Sequence, residues 1–175
     1  TSSAPVVVAP TGFGVTLDME DRHFTTKELD AARYVWKRSA GRVDLGIVLQ
    51  SRLHRTENDI AKYLVDEYYQ LPKKMLRVRV CIGIYSEPSE YATRSKKEAK
   101  RHLVERVKEL FAAGVYVEIA THDPRVVETV VNDVILEQHI SSDRFEFQFL
   151  KGVYQGEVLA ERLSCQGYTV RVYMP

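Results

Sequence analysis

The chain has 175 residues, 45% of them hydrophobic and 28% charged, with a formal net charge of +1. That size and balance point to one globular domain, or a large piece of one, and exclude a disordered chain. Lys and Arg are interspersed with Asp and Glu, which leaves no basic face for nucleic acid, and no run approaches the ~18 apolar residues of a membrane span.

Residues 1–14 are punctuated by Ser, Pro and Gly around the apolar run Val6-Val7-Val8, which fits either an edge strand or a linker. With no basic start before an apolar stretch, no secretory leader is expected there. From residue 15 onward, short β-branched runs alternate with helical stretches, the pattern of βα units in a parallel sheet. Six strands are expected, at 15–19, 44–50, 76–82, 115–120, 144–149 and 169–173, with five helices between them. Thr25 with Glu28, and Ser95 with Glu98, have capping-box spacing. Asp123 before Pro124 places an N-cap oxygen ahead of a proline at the first helical position. Gly114 and Gly167 close helices where the backbone needs a positive φ. Ala99, Leu103, Val107, Leu110 and Phe111, then Val126, Val130 and Val134, recur at helical spacing and are expected to face the sheet. Tyr63, Tyr68 and Tyr69 read as packing aromatics on a helix face. Cys81 and Cys165 show neither metal nor disulfide spacing and read as reduced packing residues of a cytosolic protein.

An open doubly wound sheet also fits the alternation, but its GxGxxG fingerprint after the first strand is missing. The expected class is therefore α/β, a partial (β/α)8 barrel of TIM type. Eight units take about 250 residues, so six strands are too few for closure. The organisation expected is a linker or edge segment at 1–14 and part of the barrel at 15–175.

In such a barrel the chemistry lies at the C-terminal ends of the strands, where the βα loops converge. Those ends carry Asp18, Gln50, Tyr85, Thr121, His122, Asp123, Gln148 and Tyr173. Arg79 lies inside its strand, where a guanidinium is costly to bury without a partner. Each has a plainer reading: the run Asp18-Met-Glu-Asp21 as a solvated acidic turn, His122 as a satisfied core histidine. Polar residues at so many strand ends together favour a site, although this placement does not identify a reaction. HExxH, CxxC and EF-hand patterns are absent, so no metal is expected. GxSxG and Walker-type phosphate loops are absent as well.

The segments Val15-Thr-Leu-Asp-Met-Glu-Asp21, Gly46-Ile-Val-Leu-Gln50, Arg55-Thr-Glu57, Ala120-Thr-His-Asp-Pro124, Phe145-Glu-Phe-Gln-Phe-Leu150 and Gly167-Tyr-Thr-Val-Arg-Val-Tyr173 together resemble proline dehydrogenase, in that family's order and over residues 14–175. The resemblance implies a distorted β/α barrel that binds FAD, with the six strands matching the family's third to eighth. It implies oxidation of L-proline to Δ1-pyrroline-5-carboxylate by hydride transfer to flavin N5, with electrons passed to a quinone. A pyrroline-5-carboxylate dehydrogenase is the implied consumer of the product. Cytoplasmic location, with peripheral contact at the inner membrane, is the matching expectation.

By motif, Arg79 corresponds to the arginine beside flavin N5 and Gln50 to the glutamine on the flavin's pyrimidine edge. Gly83 falls where backbone approaches the cofactor, Thr121 and His122 along its phosphate and ribose, and Gln148 at a further FAD contact. Asp18 lies at the border of flavin and substrate, while Tyr85, Leu150 and Tyr173 line the proline pocket. Arg79, Asp18 and Tyr173 are the catalytic expectations. Two positions depart from the family: Ile82 stands where a basic residue is usual, and Arg52 where tyrosine is common. The family's paired arginines that clamp the proline carboxylate are expected after Pro175, and very weak proline binding is expected of these 175 residues alone. The competing expectation is a degenerate barrel used for binding or assembly.

Overall fold

A computed structural model describes residues 6–7, 14–39, 42–66 and 76–174. Tyr68 and Tyr69 lie outside the described residues. Strand β1 (Val6–Val7) pairs antiparallel with β2 (Val15–Leu17), as an edge strand. The parallel strands then follow in chain order: β2, β3 (Leu45–Gln50), β4 (Arg77–Cys81), β5 (Tyr116–Ala120), β6 (Phe145–Leu150) and β7 (Val170–Tyr173). An order with no reversal has no switch point, which separates it from a doubly wound sheet and makes it a curled half-barrel. All six expected strands are present. The first stops at Leu17, short of Met19, because Asp18 turns its carboxylate back onto the Met19 N–H.

Helices α1 (Thr25–Ser39), α2 (Thr56–Asp59), α3 (Lys96–Ala112), α4 (Pro124–Val130) and α5 (Tyr154–Cys165) alternate with these strands. Helix α2 widens into a π-helical segment, Ile60–Asp66, and α4 into another, Val131–Leu136. The expected apolar stripes on α3 and α4 are all buried. They meet the strand face bearing Val78 and Val80, Val117 and Ile119, and the column Phe145, Phe147 and Phe149. Phe111 of α3 meets Phe145 edge-on, with centroids 6.0 Å apart. Tyr63 packs partly buried against the same core.

Helix ends follow their local chemistry with one exception. Asp123 accepts from the N–H groups of Arg125 and Val126 at 3.0 and 3.1 Å, and Pro124 occupies the first turn. Ser95 accepts from the Glu98 N–H at 3.2 Å, while the Glu98 carboxylate takes the Thr93 hydroxyl at 2.5 Å. The Thr25–Glu28 capping box does not form. Thr25 is already helical and buried, and Glu28 is drawn away to accept from the Glu20 N–H. Gly114 and Gly167 take positive φ of 77° and 85°. Cys81 and Cys165 are free thiols.

Truncating the fully buried Phe147 to Ala is expected to cost about 3–5 kcal/mol. Asp123→Ala, which removes a cap and the ion pair with the half-exposed Lys100, should cost about 1–2 kcal/mol. Urea midpoints of the two variants, compared at constant m-value, check that ranking.

Candidate active site

Alternation along each strand sends one set of side chains to the helices and the other to the concave face of the half-barrel. Register places Gly46, Arg77 and Tyr116 in one row, and Val48, Arg79, Glu118 and Glu146 in the next. Nearest the strand ends come Gln50 with Cys81, then Ala120, Gln148 and Arg171, then Leu150 with Tyr173. This inner face is charged, and its charges pair across strands. Arg77 reaches Asp44 at 2.7 Å and Glu118 at 2.5 Å. Arg171 binds both oxygens of Glu146, at 2.6 and 2.9 Å, and the Tyr116 hydroxyl donates to the same carboxylate. Burial alone pushes the Glu146 carboxyl up, but the hydrogen bonds from Arg171 and Gln148 and the charge of Arg171 outweigh it and hold it below its usual range.

Arg79 stands at the middle of this face. Its Nε donates to Gln148 Oε1 at 2.6 Å, its Nη1 lies 3.6 Å from Asp18, and Glu118 is 3.8 Å from Nε. The guanidinium lies over the Tyr173 ring, 4.8 Å from its centroid. Four predicted site residues, Asp18, Arg79, Gln148 and Tyr173, are therefore in direct association. The hydrogen bond to Gln148 is the one Arg79 makes through its side chain among the described residues, and its terminal nitrogens have only the ion pair of Nη1 with Asp18. Burial raises the Tyr173 hydroxyl above its ordinary range, against the opposing charge of Arg79.

A second group ties the ends of β2, β3 and β4 together. Gln50 donates through Nε2 to the Glu20 carbonyl at 2.8 Å, and the Tyr85 hydroxyl donates to the Glu20 carboxylate. That bond pushes the Tyr85 pKa up to about 12. Arg52 donates to the Tyr85 carbonyl at 3.1 Å, and Arg22 pairs with Glu87 at 3.2 Å. Gln50 Oε1 is buried without a partner. Gly83, at φ 96°, faces it so closely that a Cβ there would lie 2.4 Å from that oxygen.

The third group joins β5 to β6. His122 Nε2 accepts from the Leu150 N–H at 3.0 Å, which assigns its proton to Nδ1. Burial lowers the His122 pKa, so the ring is neutral near pH 7. Thr121 is buried and accepts from the Asp123 N–H at 3.3 Å. Leu150 is the register partner of Tyr173, and in this way the His122 group meets the Arg79 group through β6. The N–H groups of Arg125 and Val126 are spent on Asp123, which also pairs with Lys100. An anion near His122 would therefore meet side chains and not an open helix terminus.

Sequence reasoning missed Arg77, Glu118, Glu146 and Arg171, and it gave Glu20 no role beyond membership of the run Asp18–Asp21, for which a solvated turn was the plainer alternative. The signal for the strand residues was weak: Arg77 and Arg79 lie two apart on β4, but Glu118 and Glu146 are single acidic residues on the next two strands, where an alternating pattern also fits a solvent-facing side.

A curled parallel sheet with a charged inner face and a polar rim at its strand ends defines a protein of the β/α-barrel class, in which sites lie at the C-terminal rim. Comparison with known proteins narrows that class. The chain belongs to the proline dehydrogenase family, whose model matches residues 7–175. It is 33% identical to the proline dehydrogenase of Deinococcus radiodurans and 32% to proline dehydrogenase 2 of Bacillus subtilis, each over 161 residues and 92% of the chain. The chain spans about half the length of these curated relatives, 48% in both cases. Among solved structures it resembles proline utilization A of Bdellovibrio bacteriovorus, at TM-score 0.81 and 21% identity over 93% of this chain and 18% of that one. Proline utilization A of Bradyrhizobium japonicum superposes with TM-score 0.74 and 25% identity, over 90% of this chain and 17% of that one.

Gly83→Ala would force a Cβ both into a positive-φ backbone and onto Gln50, and is expected to cost about 1–3 kcal/mol of stability. A thermal melt of the variant checks this. A second expectation concerns Glu28, whose carboxyl burial pushes up to about 7, helped by the charges of Glu20, Asp18 and Asp21. Between about pH 4.5 and 7 the folded chain then holds this proton more tightly than the unfolded one, so stability falls as pH rises through that window. Glu28→Gln should flatten that part of the stability–pH curve. Denaturant midpoints from pH 4.5 to 8 for both proteins make the comparison.

Proposed function

We propose that this chain carries the flavin side of a proline dehydrogenase site. The reaction is oxidation of L-proline to Δ1-pyrroline-5-carboxylate, with FAD as the cofactor and a quinone as the electron acceptor. The observation that carries this reading is Arg79, held by Gln148, Asp18 and Tyr173 with no hydrogen bond on its terminal nitrogens among the described residues, Nη1 being ion-paired to Asp18. The fit to a flavin rests on the donor set. The buried, unpartnered Gln50 Oε1 suits an N–H donor such as the imide edge of an isoalloxazine, and Gly83 leaves room for the approach. When bound, FAD supplies the hydride acceptor and carries the redox chemistry.

The residues of this chain do the remaining work. Arg79 offers a fixed cation where negative charge accumulates, which needs no reorganisation at the moment of reaction. Asp18 stands 3.6 Å from it on the substrate side, and Tyr85, Leu150 and Tyr173 form walls suited to a saturated ring. Thr121 and His122, with its Nδ1 proton, serve the cofactor's ribose and phosphate region. Gln148 reaches the cofactor edge beside Arg79. Family membership supports the substrate, and a structure of proline utilization A has been solved with proline bound in remote sites. Among the described residues no helix is long and apolar enough to cross a membrane. A cytoplasmic enzyme that touches the inner membrane peripherally, and passes its product to a pyrroline-5-carboxylate dehydrogenase, is the matching setting.

A second reading, a degenerate barrel for binding or assembly, draws on Ile82, which packs against the core and offers no charge. Two measurements separate them. Under the enzyme reading the purified chain binds FAD and shows flavin absorbance, with slow L-proline-dependent reduction of a quinone analogue, in keeping with the weak proline binding expected of these residues alone. Arg79→Met should then lower that turnover about a hundredfold. A protein that takes up no flavin, or an Arg79→Met variant as active as the parent, sinks the enzyme reading.

A further inference from the structure

Arg79 does not hold its own orientation; it is the end of a buried hydrogen-bond chain. Glu146 is 2% exposed and Gln148 is 1% exposed, both on the inner face of β6. Arg171, on β7, donates to both oxygens of Glu146. Gln148 Nε2 donates to Glu146 Oε1 at 2.6 Å, and Gln148 Oε1 accepts from Arg79 Nε at 2.6 Å. Each link determines the direction of the next. With Arg171 and Tyr116 both donating to it, Glu146 presents a carboxylate that can only accept. Gln148 must therefore turn its NH2 toward Glu146, and its carbonyl is left facing Arg79. Arg79 is engaged through Nε, so its terminal nitrogens point away from Gln148.

We propose that Glu146 and Gln148 are positioning residues that relay the orientation of Arg171 to Arg79 and so aim the guanidinium edge at the strand-end mouth. The value of that aim for catalysis rests on the flavin reading above. The aim itself is a property of the protein alone. Gln148 then acts through Arg79 as well as by any contact of its own with the cofactor. Glutamine is the residue type the position requires. Glutamate there would oppose Glu146, and leucine would leave Arg79 Nε with only the Glu118 carboxylate, 3.8 Å away.

Isosteric swaps separate this relay from simple packing. Glu146→Gln lets the new amide donate to Gln148, which reverses the Gln148 amide and turns its NH2 against Arg79. Gln148→Glu sets two carboxylates against each other. Exchanging both, Glu146→Gln with Gln148→Glu, restores the order toward Arg79: residue 146 donates to residue 148 and Arg79 donates to residue 148, while Arg171 keeps its Nη2 bond to the remaining oxygen of residue 146 and gives up its Nε bond. The first readout needs no cofactor. It is the solvent exchange of the Arg79 Nε–H, followed by 15N NMR, with Arg79→Lys identifying the signal by its loss. The expected result is slow exchange in the parent, fast exchange in Glu146→Gln, where an NH2 faces Arg79, and slow exchange again in the double variant, where residue 148 presents a carboxylate. The second readout is FAD affinity, expected to fall about tenfold in each single variant and to recover in the double.

Equal exchange rates in the parent and Glu146→Gln, or a double variant no slower than Glu146→Gln, overturns the relay. Should Gln148→Glu fail to fold, the parent, Glu146→Gln and the double variant still decide, because residue 148 carries an oxygen in all three and the relay turns it away from Arg79 only in Glu146→Gln. Recovery of the NMR signal in a protein that binds no FAD supports the relay and removes the flavin reading, so the two fail separately.

Discussion

Two carboxylates, Glu118 and Glu146, sit almost wholly out of water on the concave face of the sheet, and the rest of the site is arranged around that fact. A buried ionised carboxylate is tolerable only when paired and hydrogen-bonded. The partners come from adjacent strands: Arg77 on β4 for Glu118, Arg171 on β7 for Glu146, with Arg79 between them. This pairing makes strand register part of the electrostatics. A slip of one residue would turn the charges toward the helices and Phe145, Phe147 and Phe149 toward the hollow. The phenylalanine column and the charge network therefore specify the same register from opposite faces of the sheet.

Such a network contributes more to specificity of arrangement than to net stability, because desolvation offsets much of the Coulomb gain. Stability comes from the other face, where the stripes of α3 and α4 close over Val78, Val117, Ile119 and the phenylalanines. The division of labour suits a site. The helix face anchors the strands, and the inner face holds polar groups in set orientations before any ligand arrives.

Much of the fold was legible because its signals are local. β-branched runs bounded by glycine, proline and cap residues located every parallel strand, and Asp123 with Pro124 marked the start of α4. Where tertiary contacts compete with local chemistry, the sequence misled. Thr25 and Glu28 have the spacing of a capping box, yet Glu28 serves Glu20 and Thr25 is buried inside the helix. For the site, the rim residues could be picked from strand ends, and Arg79 was conspicuous as a charge within a strand. Its supports were not conspicuous, because Glu118 and Glu146 each look like the solvent-facing member of an alternating strand. Only closure of the sheet into a hollow makes that second face an interior. Glu20 was hidden differently: its role depends on Tyr85, sixty-five positions away in the chain.

The rim itself is best understood as a set of mutual supports. Glu20 accepts from Gln50 through its carbonyl and from Tyr85 through its carboxylate, and Arg52 holds the Tyr85 carbonyl. Three loops, after β2, β3 and β4, are thereby joined through side chains that all face the mouth. Arg22 with Glu87 adds a further tie between the first and third of them. Groups bound this way polarise and orient one another, so their contributions do not add independently. Substituting Glu20 would release the ring of Tyr85 but not the amide of Gln50, which is held by the backbone carbonyl that any residue supplies. The unpartnered Gln50 Oε1 is informative for the same reason. Its amide nitrogen is committed to Glu20, so rotation cannot satisfy the oxygen elsewhere, and the buried acceptor stays directed at the space that Gly83 keeps open.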